Sequence, residues 1–123
     1  MSELLDDRDL SIRQLQAFHE SLDREKGFDL DLLRNVAYLS EEIGEVVTAI
    51  RDLKKADDPS ALEEARAHLG EELADCLAYI VKLANYGGVD LQAAYVSKME
   101  RNLARVWHGK QPPLPPAPPA ERS

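Results

Sequence analysis

Two pairs of acidic residues have the spacing that places both members of a pair on one face of a helix. Glu42 and Glu45 stand in LSEEIGEVVTAI, residues 39–50, and Glu72 and Asp75 stand in GEELADCLAYI, residues 70–80. Residues three apart lie one turn along the same helical face. Apolar residues at helical spacing adjoin both pairs, so four carboxylates can face one another if the two helices pack antiparallel.

Carboxylates crowded in this way predict a metal site. Anionic groups that converge in a partly dry space repel and raise one another's pKa values, unless protons or divalent cations relieve them. All-oxygen ligation suits Mg²⁺ or Mn²⁺, with positions left open for water and phosphate. The alternative is a solvated acidic helix face. Glu45 and Glu72 are followed four residues later by Ala49 and Cys76, not by a basic partner, which favours the metal site.

A second group of residues could bind phosphate. Lys98, Asn102 and Arg105 are spaced four and three apart, hence on one helical face. Two cations and an amide can grip a phosphate, and arginine can do so bidentately. An ordinary exposed helix face is the alternative that remains open. We call these three residues the phosphate stripe. They would supply the positive charge that a metal–triphosphate site otherwise lacks.

The elements that must position these residues are four helices. Glycine and proline interrupt the apolar periodicity at REKGF, KADDPS, NYGGVD and HGKQPP. Four helical patterns lie between these breaks. The first contains residues 12–22, and the second runs from about residue 29 to 55. The third follows Ser60, and the fourth begins near Asp90, its predicted N-cap. No segment alternates with period two. The pattern predicts an all-α, four-helix antiparallel bundle, and the long second and third helices predict a homo-oligomer.

The composition limits the domain organisation of the chain and the classes of partner that it can bind. We expect one domain over residues 1–109 and a disordered proline-rich tail over 110–123, which holds six of the seven prolines. The net charge of −8 argues against nucleic-acid binding. No apolar run approaches the roughly 20 residues that span a bilayer, and the acidic N-terminus is unlike a secretory signal. With Cys76 as the single cysteine, these features predict a cytoplasmic protein without membrane contact.

The acidic pairs also carry a resemblance. The chain resembles the MazG-like all-α nucleoside triphosphate pyrophosphohydrolases, which are marked by EExxE, a spacer and ExxD. Here the motif stands as Glu41-Glu42-Ile-Gly-Glu45, then 26 residues, then Glu72-Leu-Ala-Asp75. The resemblance covers about residues 12–107 and includes GVDL before the last helix and KMxxN from Lys98 to Asn102.

The resemblance implies a reaction and roles. Mg²⁺, with Mn²⁺ as a possible substitute, would be bound by Glu42, Glu45, Glu72 and Asp75. A water oriented or deprotonated by Glu41 would attack the α-phosphorus of a (deoxy)nucleoside triphosphate, giving the monophosphate and pyrophosphate. Lys98, Asn102 and Arg105 would stabilise the phosphates. The implied role is removal of unwanted nucleotides.

The resemblance also implies an assembly and a base pocket. The assembly would be a homo-oligomer, with a tetramer built as a dimer of dimers favoured over a dimer. The segment VVTAIRDLKK after Glu45 holds no aromatic residue to stack on a base. The remaining candidates for the base pocket are Phe18, Phe28, Asn35 and Tyr38.

Two rival functions were weighed. A di-iron carboxylate bundle wants Glu-x-x-His on two helices, but Thr48 and Asp75 stand where those histidines would be. The other rival is a non-enzymatic acidic helical oligomer that recruits a partner through its proline-rich tail, which contains a PxxP spacing.

Overall fold

The computed structural model describes residues 5, 6 and 8–105. It contains four α-helices: α1 (Ile12–Lys26), α2 (Leu32–Lys55), α3 (Pro59–Tyr86) and α4 (Leu91–Ala104). The described part contains no strand, and the all-α prediction is confirmed. None of its helices is long and apolar enough to cross a membrane. The predicted tail, residues 110–123, lies outside the described residues.

Side-chain caps define where the helices begin. At α1, the Ser11 hydroxyl accepts from the Gln14 amide at 3.1 Å, and the Gln14 side chain accepts from the Ser11 amide at 2.6 Å. The other three helices begin after aspartates whose carboxylates accept the amide three residues on: Asp31, Asp58 and Asp90. Each cap satisfies one of the amides that lack a partner in the first helical turn. The N-cap predicted at Asp90 is confirmed.

Gly27 ends α1 by adopting the left-handed conformation. Its φ of 64° is one that residues with a Cβ rarely adopt, and its amide donates to the Asp23 carbonyl. This reversal directs the chain through residues 28–31 into α2. The break at REKGF therefore corresponds to a helix end with a specific backbone requirement.

The helices pack in a defined order. Because residues 56–58 alone connect α2 to α3, these helices form an antiparallel hairpin, which is the most extensive contact in the chain. α1 packs on α3, and α4 packs on the beginning of α1. The Arg13 guanidinium binds the Asp90 carboxylate at 2.9 Å, and the Gln16 side chain donates to the Asn85 side chain at 2.9 Å.

Small residues form the centre of the packing. The buried apolar residues of the described part are Ala49, Ala65, Val81 and Ala84. Ile43, on the stripe that the periodicity of LSEEIGEVVTAI would bury, is 51% exposed, and so is Leu73. Thus the hairpin closes on alanines and turns part of its large apolar side chains outward. A homo-oligomer, which stays a prediction, would cover such a face.

A buried charged cluster fastens α1 to α3. The Asp23 side chain is 3% exposed and accepts a hydrogen bond from the Tyr86 hydroxyl. Lys82 Nζ lies 3.4 Å from Asp23 Oδ1 and 4.6 Å from the Phe28 ring centre. Burial, with the hydrogen bond to Asp23, raises the pKa of the Tyr86 phenol. The lysine is the positive charge that compensates a carboxylate withdrawn from water.

We expect Lys82→Met to lower the free energy of unfolding by about 3 to 5 kcal/mol, because it leaves the Asp23 carboxylate buried without its cation. Urea denaturation at one fixed protein concentration measures this. Arg24→Ala is the control, since Arg24 pairs with Glu20 at an exposed site and should contribute less than about 0.5 kcal/mol. A loss below about 1 kcal/mol for Lys82→Met would contradict the assignment.

Candidate metal centre

Three of the predicted acidic residues converge where α2 faces α3. Glu42 on α2 and Glu72 and Asp75 on α3 each offer a carboxylate oxygen, and these atoms lie within 4.8 Å of one another. Glu42 and Glu72 are half-buried, whereas Asp75 is exposed. We call these three residues the carboxylate cluster. Antiparallel packing of the hairpin brings them together, as the sequence reasoning required.

The environment of Glu42 disfavours its charged form. Burial is the main cause that raises the pKa of Glu42. The negative charges of Asp75 and Glu72 add to the rise, as do a hydrogen bond with Glu72 and the charge of Glu45. The surroundings of Glu42 therefore make this carboxyl group harder to ionise than an ordinary glutamate.

The pKa values of two side chains next to the carboxylate cluster are also raised. Burial, followed by the charge of Glu42, raises the pKa of the Cys76 thiol and of the Tyr79 phenol. Both groups are therefore kept protonated beside the cluster. A protonated thiol is a poor nucleophile, so the Cys76 side chain is poorly suited to covalent catalysis.

The carboxylate cluster fits a hard divalent cation. Ligand oxygens around one Mg²⁺, each about 2.1 Å from the ion, lie about 3 to 4 Å apart, so small side-chain rotations from a 4.8 Å spread suffice. A bound cation would also offset the negative charges of Asp75 and Glu72, which after burial contribute to the raised pKa of Glu42. The all-oxygen donor set matches the preference of Mg²⁺ and Mn²⁺.

The two remaining motif acids lie beside the cluster. Glu45 is exposed and is not one of the three converging residues, although its charge contributes to the raised pKa of Glu42. Glu41 is also exposed, and its charge reaches Tyr79. A ligand role for Glu45 and a water-activating role for Glu41 stay predictions.

The predicted phosphate stripe lies on another helix pair. Lys98 is exposed on α4, the Asn102 side-chain amide lies 4.0 Å from Met99 Sδ, and Arg105 is the C-cap of α4. α4 packs on α1, whereas the carboxylate cluster lies on the α2–α3 hairpin. The substrate contacts of these residues stay predictions.

Asn35 has a structural position. It is 2% exposed, and its side-chain amide donates to the main-chain carbonyls of Asp29 at 2.8 Å and Asp31 at 2.7 Å. It thereby ties the beginning of α2 to the preceding loop. Contact between Asn35 and a substrate stays a prediction.

An aromatic row leads away from the carboxylate cluster. We give this name to the rings of Tyr38, Tyr79 and Phe28 together with Lys82, whose ammonium group lies over two of them. The Tyr38 and Tyr79 ring centres are 6.0 Å apart, and Lys82 Nζ lies 5.3 Å from the Tyr79 ring centre. Lys82 Nζ also lies over the Phe28 ring, and Phe28 borders a cavity of about 600 Å³ that Tyr86 also lines. Of the base-pocket candidates, Tyr38 and Phe28 belong to this row, while Phe18 packs edge-on against His19.

Sequence reasoning missed three residues near the cluster: Tyr79, Lys82 and His68. Tyr79 follows Asp75 by four residues and Lys82 follows it by seven, so helical spacing could have found both. His68 Nε2 lies 3.2 Å from Glu72 Oε1. A basic partner is expected four residues after each acid, where Ala49 and Cys76 stand, whereas His68 stands four residues before Glu72.

The raised pKa of Glu42 predicts how metal-free stability depends on pH. Because the folded state holds the proton more tightly than the unfolded chain, stability is lost as pH rises from the ordinary value of 4.5 through the raised pKa. Glu42→Gln removes this loss. In EDTA, the melting temperature of Glu42→Gln minus that of the wild type should therefore grow with pH across this window. A difference that is constant or falls with pH would contradict the assignment.

The comparison with known families agrees with this geometry. The model of the MazG nucleotide pyrophosphohydrolase domain matches residues 30–107, which include the carboxylate cluster and all of α2, α3 and α4. A comparison with curated proteins finds no match. The matched region covers more than half of the chain and carries both acidic motifs in order. The chain belongs to the MazG nucleotide pyrophosphohydrolase family.

Proposed function

We propose that this protein is an Mg²⁺-dependent nucleoside triphosphate pyrophosphohydrolase that serves to remove unwanted nucleotides. It would hydrolyse a (deoxy)nucleoside triphosphate at the α-phosphorus to the monophosphate and pyrophosphate. The observation that carries the proposal is the convergence of Glu42, Glu72 and Asp75 within 4.8 Å in a chain of the MazG family.

The carboxylates have two proposed roles: some bind the metal ion and one activates the attacking water. Glu42, Glu72 and Asp75 hold Mg²⁺, for which Mn²⁺ can substitute, and Glu45 adds a ligand from the next turn of α2. When bound, the metal would neutralise phosphate charge and lower the pKa of a water. Glu41 would orient the attacking water or accept its proton. Its exposed position beside the cluster leaves it accessible to solvent.

The phosphate stripe would come from a second copy of the chain. Lys98 and Asn102 lie on α4 and Arg105 is its C-cap, and α4 packs on α1, whereas the carboxylate cluster lies between α2 and α3; this favours a contribution from another protomer. The outward apolar side chains of α2 and α3, with Leu77 47% exposed, support such an assembly. A tetramer that is a dimer of dimers would place each stripe against a neighbour's cluster.

The aromatic row supports a place for the nucleoside. Tyr79 lies about 6 Å and Lys82 about 10 Å beyond Asp75 along α3, at a rise of about 1.5 Å per residue. A nucleotide held by its phosphates at the carboxylate cluster can extend along α3 in this direction. Tyr38, Tyr79 and Phe28 offer ring surfaces for its base.

The proposed activity is tested by pyrophosphate release in Mg²⁺ from a panel of canonical and modified (d)NTPs. We expect release by the wild type and a loss of at least about 100-fold in Glu72→Gln and Asp75→Asn, because each removes a ligand charge. Glu63→Gln, at an exposed position of α3 away from the cluster, should retain activity. No release of pyrophosphate from any nucleotide by the folded wild type would overturn the proposal. It would favour the alternative, a non-enzymatic acidic helical oligomer that recruits a partner through its proline-rich tail.

The proposed metal is tested separately by thermal melts. A ligand that binds only the folded state stabilises it by about 1.4 kcal/mol at ten times its dissociation constant, which raises the melting temperature by several degrees for a chain of this size. We expect this rise with Mg²⁺ for the wild type and its loss in Asp75→Asn. An unchanged wild-type midpoint at millimolar Mg²⁺ would argue against a preformed centre.

A further inference from the structure

His68 contacts the carboxylate cluster from the preceding turn of α3. Its Nε2 lies 3.2 Å from Glu72 Oε1, and the two residues stand four apart on the same helical face. The His68 side chain is 41% exposed and the Glu72 side chain is 14% exposed. The imidazole therefore lies at the rim of the cluster, and the carboxylate that it contacts lies within.

This pair differs from an ordinary surface pair. In the i,i+4 pair of Arg24 with Glu20, the glutamate is 63% exposed and water can solvate its charge. Glu72 has little access to water and has two other carboxylates close by. Within the described residues, His68 is the one basic side chain in ion-pair contact with the cluster. A carboxylate in this position depends on a protein donor for its orientation.

The far side of His68 borders open space. With Asp52, Lys55 and Ala65, it lines a cavity of about 420 Å³ next to the turn between α2 and α3. Close packing therefore does not fix the imidazole on that side. The Glu72 carboxylate is therefore oriented by its contact with His68 and by its hydrogen bond with Glu42.

We propose that His68 is a positioning residue of the metal centre: a small rotation of the imidazole from its 3.2 Å ion-pair contact lets Nε2–H donate to Glu72 Oε1, which directs Glu72 Oε2 towards the cation shared with Glu42 and Asp75. This inference rests on the proposed metal-dependent function. Tying one oxygen fixes the rotamer of the carboxylate before metal arrives, so less side-chain freedom is lost on binding. Such outer-shell partners commonly change metal affinity by about 10- to 100-fold.

A purely electrostatic role makes the opposite prediction. If His68 acted as a positive charge that the cation must displace, removing it would tighten cation binding. If His68 positions Glu72 by donating a hydrogen bond, removing it weakens binding. The sign of the change therefore distinguishes the two roles.

The experiment titrates the metal-free full chain with Mn²⁺ and measures the free ion by its electron paramagnetic resonance signal, without nucleotide. We expect His68→Ala to weaken Mn²⁺ binding about 10-fold. His68→Gln should stay within about threefold of the wild type, because a glutamine amide reaches the position of the imidazole Nε2. His68→Asn, whose amide is too short to reach Glu72, should behave like His68→Ala.

Arg66→Ala is the matched control, because it removes a charge from an exposed position nearby on α3 and should leave Mn²⁺ affinity within about twofold. Melts in EDTA check that all variants fold. Binding by His68→Ala as tight as or tighter than the wild type, or binding by His68→Gln as weak as that of His68→Ala, would overturn the inference. A wild type that binds no Mn²⁺ would instead overturn the proposed metal centre, and this inference with it.

Discussion

The repulsion among the carboxylates of Glu42, Glu72 and Asp75 is the constraint that the α2–α3 hairpin has to offset. Two helices bring negative charges together and withdraw one of them, Glu42, from water, which raises its pKa. The hairpin tolerates this because its helices are held together elsewhere. Ala49 and Ala65 are buried near its turn and allow the helix backbones to approach closely. Stability is thus concentrated away from the residues that are available to bind a ligand.

The helix α1 supports the same hairpin from the other end. Asp23 fastens α1 to the last turns of α3 through its ion pair with Lys82 and the hydrogen bond that it accepts from the Tyr86 hydroxyl. Lys82 also lies over the Tyr79 ring, so a structural ion pair and the aromatic row share one side chain. A substitution at the α1–α3 interface would therefore affect the side chains around the carboxylate cluster, because α3 carries residues of both.

The sequence predicts local features of this chain better than the choice of packing partners. The convergence of Glu42 with Glu72 followed from two spacings and an antiparallel connection, and the cap at Asp90 followed from residue chemistry. Periodicity placed Ile43 on an apolar stripe but could not say whether the chain itself covers that stripe. The packing of α4 on α1 depends on pairs such as Arg13 with Asp90, 77 residues apart, which no local pattern announces.

The three-residue connection between α2 and α3 has a consequence for the order of folding. Closing a short loop loses little chain entropy, and contacts between elements that are close in sequence form early. Glu42 and Asp75 are separated by 33 residues, whereas Asp23 and Tyr86, which join α1 to α3, are separated by 63. We therefore expect the hairpin, and with it the carboxylate cluster, to form before α1 docks on α3. A nascent chain would then hold the three carboxylates together before its first helix has packed.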